Sequence, residues 1–510
     1  MTIIDQAIAK LRQLVQLEVQ HSWRDLTLLS IVNISSNLAK VNLSECQTAS
    51  VNDRGYLVFP QGRIIWLAQK IIIPQVLQGY PLSGLSLRLV LTWWAEDAQI
   101  FVNGELVQQG DLFDSSARVL ITKNASPGRE YLVAIRLVTP HHDIGALMRS
   151  HLLYESDPGE IDPGLVADEL TILYKYLSQF EPEHLDVLNA ELDKFNWDNL
   201  ENADKFGDDL GKLRSSLLPL AKNIKRRCFN LLGHAHLDMA WLWTTDETYE
   251  VAERTFTSVL NLQQDFPALA FGHTSPALYE WIEHNRPQLF AEIKNAVRSN
   301  QWEILGGMWI EPETNLVSGE SLIRQLLYGQ EYYQCKFGKI SQVAWLPDSF
   351  GFTWQLPQIM QQCGIEYFVT GKLHWNDTTQ FPHGCFWWES PDGTRLLTLM
   401  SPPNVTGVMD TNPITMTDYA IEWETQTGLQ DIFWLPGVGD HGGGPTRDML
   451  EVAAKWNHSP FFPEITFSTA ADYLHKISPS LRLPVPPSPS PQLFKSPSLP
   501  VSPSGKTNYT

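Results

Sequence analysis

The sequence predicts a multidomain fold: an N-terminal β-sandwich, a helical connector, a region of alternating strands and helices built on a parallel sheet or barrel, and a disordered Pro/Ser-rich tail. Three observations carry this reading. Short β-rich runs separated by turn signals fill the first third of the chain, apolar residues then recur at helical spacing, and beyond Arg227 strand-sized runs alternate with longer amphipathic stretches. The chain has 510 residues, 43% of them hydrophobic and 18% charged, with 18 Trp and 22 Phe, which excludes a wholly disordered or fibrous molecule.

From about Gly55 to Arg136 the runs GYLVFP, RIIWLAQKIIIP, LSLRLVLTWW, AQIFVNGELVQ and REYLVAIRLV read as antiparallel strands, and Asn103-Gly104 reads as a hairpin turn. From Pro163 to Arg227 the period changes to that of helices, with Leu170, Leu173, Tyr174 and Leu177 on one stripe and Leu210, Leu213, Leu217 and Leu218 on another. The third region opens on RCFNLLGHAHL and continues through QWEILGGMWI, QVAWLP, EYFVTGK, GTRLLTLM and DIFWLPGVG, with helices predicted between them. Such alternation places chemistry at the C-terminal ends of the strands. From Ser478 onward the chain holds nine of its 33 prolines and eight serines, too few apolar groups for a packed element, and predicts disorder.

A net charge of -20 argues against nucleic acid or an anionic membrane as a partner and favours a neutral substrate. The five cysteines form no CxxC pair, which argues against a disulfide framework and for a reducing compartment. The N-terminal stretch has helical spacing broken by Asp5, Lys10 and Arg12, unlike a signal peptide, and the longest apolar runs are strand-sized. A cytoplasmic location is expected. The oligomeric state is left open.

Four motifs concentrate the chemistry. In Gly233-His234-Ala235-His236-Leu237-Asp238, alternate residues of a strand share a face, so the imidazoles of His234 and His236 and the carboxylate of Asp238 are expected to converge where the strand ends, a donor set suited to zinc or a similar divalent metal. Asp348 follows Pro347 where a strand gives way to a helix, which also suits a turn or helix cap. Gly437 to Gly444 contains five glycines around Asp440 and His441, one acid and one further metal ligand. Glu311 and Glu313 follow a double Gly. Trp241, Trp309 and Trp375 lie in or near these loops, and indole faces beside carboxylates suit stacking on sugar rings as well as core packing. The same His-x-Asp pair would suit a non-haem iron oxygenase, but that site needs a jelly roll.

In order along the chain, GHAHLDMAWLWTTDET, LGGMWIEPETNLVSGESLIRQLLYG, WLPDSFGFTWQLPQI, FPHGCFWWESPDGT and GVGDHGGGPT resemble glycoside hydrolase family 38, the α-mannosidases, and its cytosolic and bacterial subgroup in particular. The resemblance implies a seven-stranded β/α barrel and a retaining hydrolase of terminal α-linked mannose in oligosaccharides, with one divalent metal, zinc first and cobalt second. It implies His236 and Asp238 as metal ligands, Asp348 as the nucleophile that also touches the metal, Trp241 under the sugar ring and Asp440 as general acid/base. With the substrate aromatics Trp309 and Trp375, these are the expected site residues. The domains are expected at 1–162, 163–228, 229–477 and 478–510.

The resemblance also implies a helical domain soon after Thr466–Ile477 that supplies another metal-binding His, and further β domains after that. Here the Pro/Ser stretch takes over after Leu483-Pro484-Val485, so the sequence reads as a C-terminally truncated member in which His441 is the substitute ligand. The alternative reading is a non-hydrolytic, carbohydrate-binding remnant.

Overall fold

The N-terminal helix, Ile3–Gln13, begins where Thr2 and Asp5 cap each other: the Thr2 hydroxyl accepts from the Asp5 backbone at 3.1 Å and the Asp5 carboxylate accepts from the Thr2 backbone at 2.9 Å. Its Ile4, Ala7, Ile8 and Leu11 are buried. The structure is a computed structural model that describes residues 2–27, 42–110, 115–141, 144–157, 159–403, 406–439 and 442–481.

Two antiparallel sheets follow. One runs Gln16–Glu18, Gly145–Glu155, Ser86–Trp94 and Ser116–Thr122 in spatial order, with Leu57–Phe59 also on Gly145–Glu155. The other runs Glu105–Gly110, Asp97–Val102, Glu130–Val138, Ile64–Ile72, Arg24–Asp25 and Gln47–Thr48. Leu87, Leu89, Leu91 and Trp93 alternate inward along their strand, the two-residue period that lets one face form a core. Asn103 and Gly104 both take positive φ, 52° and 89°, and join strands in register Glu105 to Val102, the backbone that an Asn-Gly hairpin requires. The sheets draw on residues 16–155, adding strands on both sides of the runs from Gly55 to Arg136 that the sequence marks. Gly145–Glu155, at the centre of its sheet, escapes a pattern search because a register shift between Leu147 and Arg149 breaks its alternation.

The helices Pro163–Phe180, Leu185–Asp193 and Ala203–Ala221 come next. Leu170, Leu173, Leu177, Leu210, Leu213 and Leu217 are buried as their spacing requires, whereas Tyr174 is only half-buried and Leu218 is exposed. Leu218 stands about 100° around the helix from Leu217, outside the core-facing stripe.

Beyond Arg227 the strands are parallel. Cys228–Leu231 lies between Asp431–Trp434 and Glu464–Phe467, and its continuation Gly233–His234 pairs with Phe271–His273, which pairs with Trp302–Ile304. Val343–Trp345, Tyr367–Thr370 and Arg395–Met400 form a third parallel ladder, with Cys385–Glu389 antiparallel on its edge. A hydrogen bond of 2.9 Å from Gly306 N to Val343 O links the second ladder to the third. Helices fill the connections, among them Thr245–Asp265, Gly319–Phe337, Pro413–Thr427 and Arg447–Asn457.

One continuous apolar core includes Leu11, Trp93, Leu173, Leu231, Trp345 and Ile465, so sandwich, helices and parallel strands bury surface against one another. Ion pairs reinforce this: Arg118 reaches Glu155 at 2.8 Å and Asp448 at 2.9 Å, while Arg88 reaches the same two carboxylates at 3.0 and 3.3 Å. Ser478–Leu481 continues the last helix as a 3-10 turn, and the predicted disorder of the tail otherwise concerns residues outside those described. Among the described residues no helix is long and apolar enough to cross a membrane.

Burial depresses the pKa of His151 and of His273 to about 4 each, so the fold holds them neutral. The unfolded chain takes up these protons near pH 6.5 and the folded chain does not until about pH 4; the contribution of these two groups is therefore full above 6.5 and is lost as the pH falls through that window. Urea midpoints measured from pH 6.5 down to pH 4 should fall, with a shallower slope in His151→Gln.

Candidate active site

The strand that carries Cys228–Leu231 and Gly233–His234 delivers His236 and Asp238 to its C-terminal end, where Ala240 turns the chain with φ 68° and its N–H donates to Asp238 O at 2.9 Å. A left-handed alanine is strained, which marks a turn held by its surroundings. His236 is 4% exposed, and its Nε2 lies 3.4 Å from Asp238 Oδ1 and 3.7 Å from Asp348 Oδ2 without a hydrogen-bond partner. The three residues place one donor atom each within 4.8 Å of one another. His234, two residues back on the strand, does not join them: its ring lies 5.1 Å from that of Trp345, and its Nδ1 lies 3.3 Å from Gly272 O.

Asp348 arrives from the Val343–Trp345 strand. Its N–H donates to Glu311 Oε1 at 3.0 Å, and its carboxylate pairs with the ammonium of Lys372, whose side chain is 5% exposed. Lys372 Nζ in turn sits 3.3 Å from the ring centre of Trp375 and 4.4 Å from that of Phe350. Burial pushes the Asp348 carboxyl up, but His236 and Lys372 outweigh it and hold the group below the usual carboxylate range. Burial alone would discharge His236; Asp238, Asp348 and Glu311 reverse this and hold its pKa up at about 10. For Glu311 burial prevails and raises its carboxyl.

A buried imidazole faced by three carboxylates calls for a cation at Nε2, either a proton or a metal ion. The unpartnered Nε2, with two carboxylate oxygens beside it, fits a divalent ion of the zinc type in donor chemistry.

Around this cluster Trp241 and Trp375 are 58% and 64% exposed, and the rings of Trp375 and Phe350 meet edge-on with centres 6.2 Å apart. Trp309 stands differently, half-buried with its ring edge-on to Tyr332 at 5.8 Å. Asp440 and His441 lie outside the described residues. Next to them, Gly442 N donates to His236 O at 2.9 Å, and a Cβ on Gly437 would stand 2.1 Å from His234 O, so the glycine-rich segment packs directly on the His236 strand. Sequence reasoning missed Lys372. Nothing in EYFVTGK marks that lysine, because its partner is 24 positions away and only the adjacency of two strands brings them together.

Two measurements follow from this electrostatic balance. Because the metal-free His236 carries a proton up to about pH 10, a divalent ion at Nε2 must displace it. Calorimetry at pH 7.5 in buffers of different ionisation enthalpy should show about one proton released per ion, and release of none would contradict the assignment. In the metal-free chain, Lys372→Met should move the Asp348 carboxyl titration, followed by its 13C shift, to higher pH; an unmoved midpoint would mean that Lys372 does not act on it.

The profile of the glycosyl hydrolases family 38 N-terminal domain matches residues 228–494. Alpha-mannosidase G of Dictyostelium discoideum is 37% identical over 49% of this chain and 23% of its own length. Alpha-mannosidase 2C1 of Homo sapiens is 36% identical over 46% of this chain and 23% of its own, and the alpha-mannosidase of Saccharomyces cerevisiae is 37% identical over 43% and 20%. The matched part thus spans less than a quarter of each relative. Among solved structures, an alpha-mannosidase from Enterococcus faecalis V583 matches with TM-score 0.43 and 24% identity over 50% of this chain and 30% of that one. With the family profile matching more than half of its length, the chain belongs to glycosyl hydrolase family 38.

Proposed function

We propose that the chain carries the catalytic region of a retaining α-mannosidase that releases terminal α-linked mannose from oligosaccharides. The observation that supports this most is the cluster of His236, Asp238 and Asp348 at the strand ends, within the segment that the family profile matches. Its parallel strands are read as a seven-stranded β/α barrel, counting residues 228–234 as one strand and adding 271–273, 302–304, 343–345, 367–370, 395–400 and 431–434, with Glu464–Phe467 as a further parallel segment beside Cys228–Leu231 outside that count. The proposed units are residues 1–162, 163–228, 229–477 and 478–510.

His236, Asp238 and Asp348 are assigned as ligands of one zinc ion, with cobalt as the alternative and His441 as the further ligand. When bound, that ion would supply Lewis acidity that orients the mannose hydroxyls and favours ring distortion. Asp348, kept ionised by His236 and Lys372, attacks the anomeric carbon while Asp440 gives its proton to the leaving oxygen as the glycosidic C–O bond breaks. Water then attacks the same carbon, Asp440 takes its proton, and Asp348 leaves. Division of labour between two carboxyl groups requires different pKa values, and the cations beside Asp348 supply one half of that difference.

Trp241 and Trp375, exposed beside the cluster, offer faces for the sugar ring, and Trp309 is the third candidate aromatic. A neutral oligosaccharide suits a chain of net charge -20, and neither nucleic acid nor membrane is assigned as a partner. All five cysteines are unpaired, which supports a cytoplasmic setting.

Hydrolysis of an aryl α-mannoside by the purified chain, with zinc or cobalt added, tests this reading. Asp348→Ala should reduce kcat by at least about a thousandfold even at saturating zinc or cobalt, and should also weaken metal binding because it removes one ligand. Mannose binding without turnover by the unmodified, metal-loaded chain would favour the carbohydrate-binding alternative.

A further inference from the structure

Glu311 sits in the loop that follows the Trp302–Ile304 strand, and its two carboxylate oxygens serve different neighbours. Oε1 accepts the Asp348 N–H at 3.0 Å and the Ser349 hydroxyl at 3.3 Å. Oε2 faces Nδ1 of His236 at 4.0 Å, on the side of the ring opposite the Nε2 that faces Asp238 and Asp348. Among the described residues no Lys or Arg lies within 4.0 Å of Glu311. Its side chain is half-buried at 21% exposure and its charged neighbour is His236 itself, and clustered carboxylates of this kind are enriched in functional sites.

An imidazole that offers its Nε2 lone pair to a cation must carry its proton on Nδ1, and an acceptor on that side selects the tautomer and the ring orientation. We infer that Glu311 is a positioning residue: one oxygen sets a negative charge opposite Nδ1 of His236, 4.0 Å away and longer than a hydrogen bond, which favours a proton on that nitrogen, and the other anchors the backbone of Asp348. A single side chain thus sets both the nitrogen donor and the attacking carboxylate relative to each other. This inference rests on the reading of His236 as a metal ligand.

The test compares the full chain with Glu311→Gln, Glu311→Asp and His236→Ala, using zinc affinity from chelator competition and the visible spectrum of bound cobalt. Glu311→Gln should lose about 10–100-fold in zinc affinity and change the cobalt spectrum, with its metal-free melting temperature close to that of the unsubstituted chain. Glu311→Asp, which keeps the charge, should recover part of the loss. If Glu311→Gln binds zinc with undiminished affinity and an unchanged cobalt spectrum while His236→Ala loses the ion, the positioning role is wrong. If His236→Ala binds as well as the unsubstituted chain, the ligand assignment fails and takes this inference with it.

A second measurement needs no variant. In the zinc-loaded chain labelled with 15N-histidine, Nδ1 of His236 should be protonated and Nε2 metal-bound; metal on Nδ1 would overturn the inference.

Discussion

The approach of His236 Nε2 to the carboxylates of Asp238 and Asp348, at 3.4 and 3.7 Å, draws the ends of separate strands into one site. Like charges on Asp238, Asp348 and Glu311 repel, and a half-buried set of them is favoured by compensating cations. His236 and Lys372 provide that compensation, and each has its place fixed by something else: His236 by the strand it ends, Lys372 by the rings of Phe350 and Trp375. The site is therefore suited to a cation at Nε2, where the three facing carboxylates favour positive charge.

Close backbone packing holds this arrangement. Gly437 and Gly329 lie where a Cβ would stand 2.1 Å from His234 O and 2.2 Å from Gly307 O, so neither position tolerates a side chain without movement of the strand ends. Further out, the Arg88 and Arg118 pairs with Glu155 and Asp448 and the shared core tie the sandwich to the parallel strands. Asp448 lies in the helix Arg447–Asn457, which begins just after the glycine-rich segment, so these pairs join the sandwich to that part of the chain.

Much of this was legible in local pattern. The Asn103-Gly104 turn, the buried leucines of Ser86–Trp94 and the i, i+2 placement of His236 and Asp238 each follow from period and backbone geometry within a few residues. The pairing of Lys372 with Asp348, the exclusion of His234 from the cluster and the two-sided contacts of Glu311 were not legible, because each depends on which strands become neighbours. The strand Gly145–Glu155 was hidden by its bulge, and Trp309 looked equivalent to Trp241 until the packing of Tyr332 distinguished them.

The central claim is that a divalent ion belongs among His236, Asp238 and Asp348. Anomalous diffraction at the zinc edge from crystals of the zinc-loaded chain tests it most directly. The account predicts one strong peak within coordination distance of His236 Nε2 and of both aspartates. A zinc peak elsewhere, with Lys372 still paired to Asp348 and Nε2 bare, would contradict it.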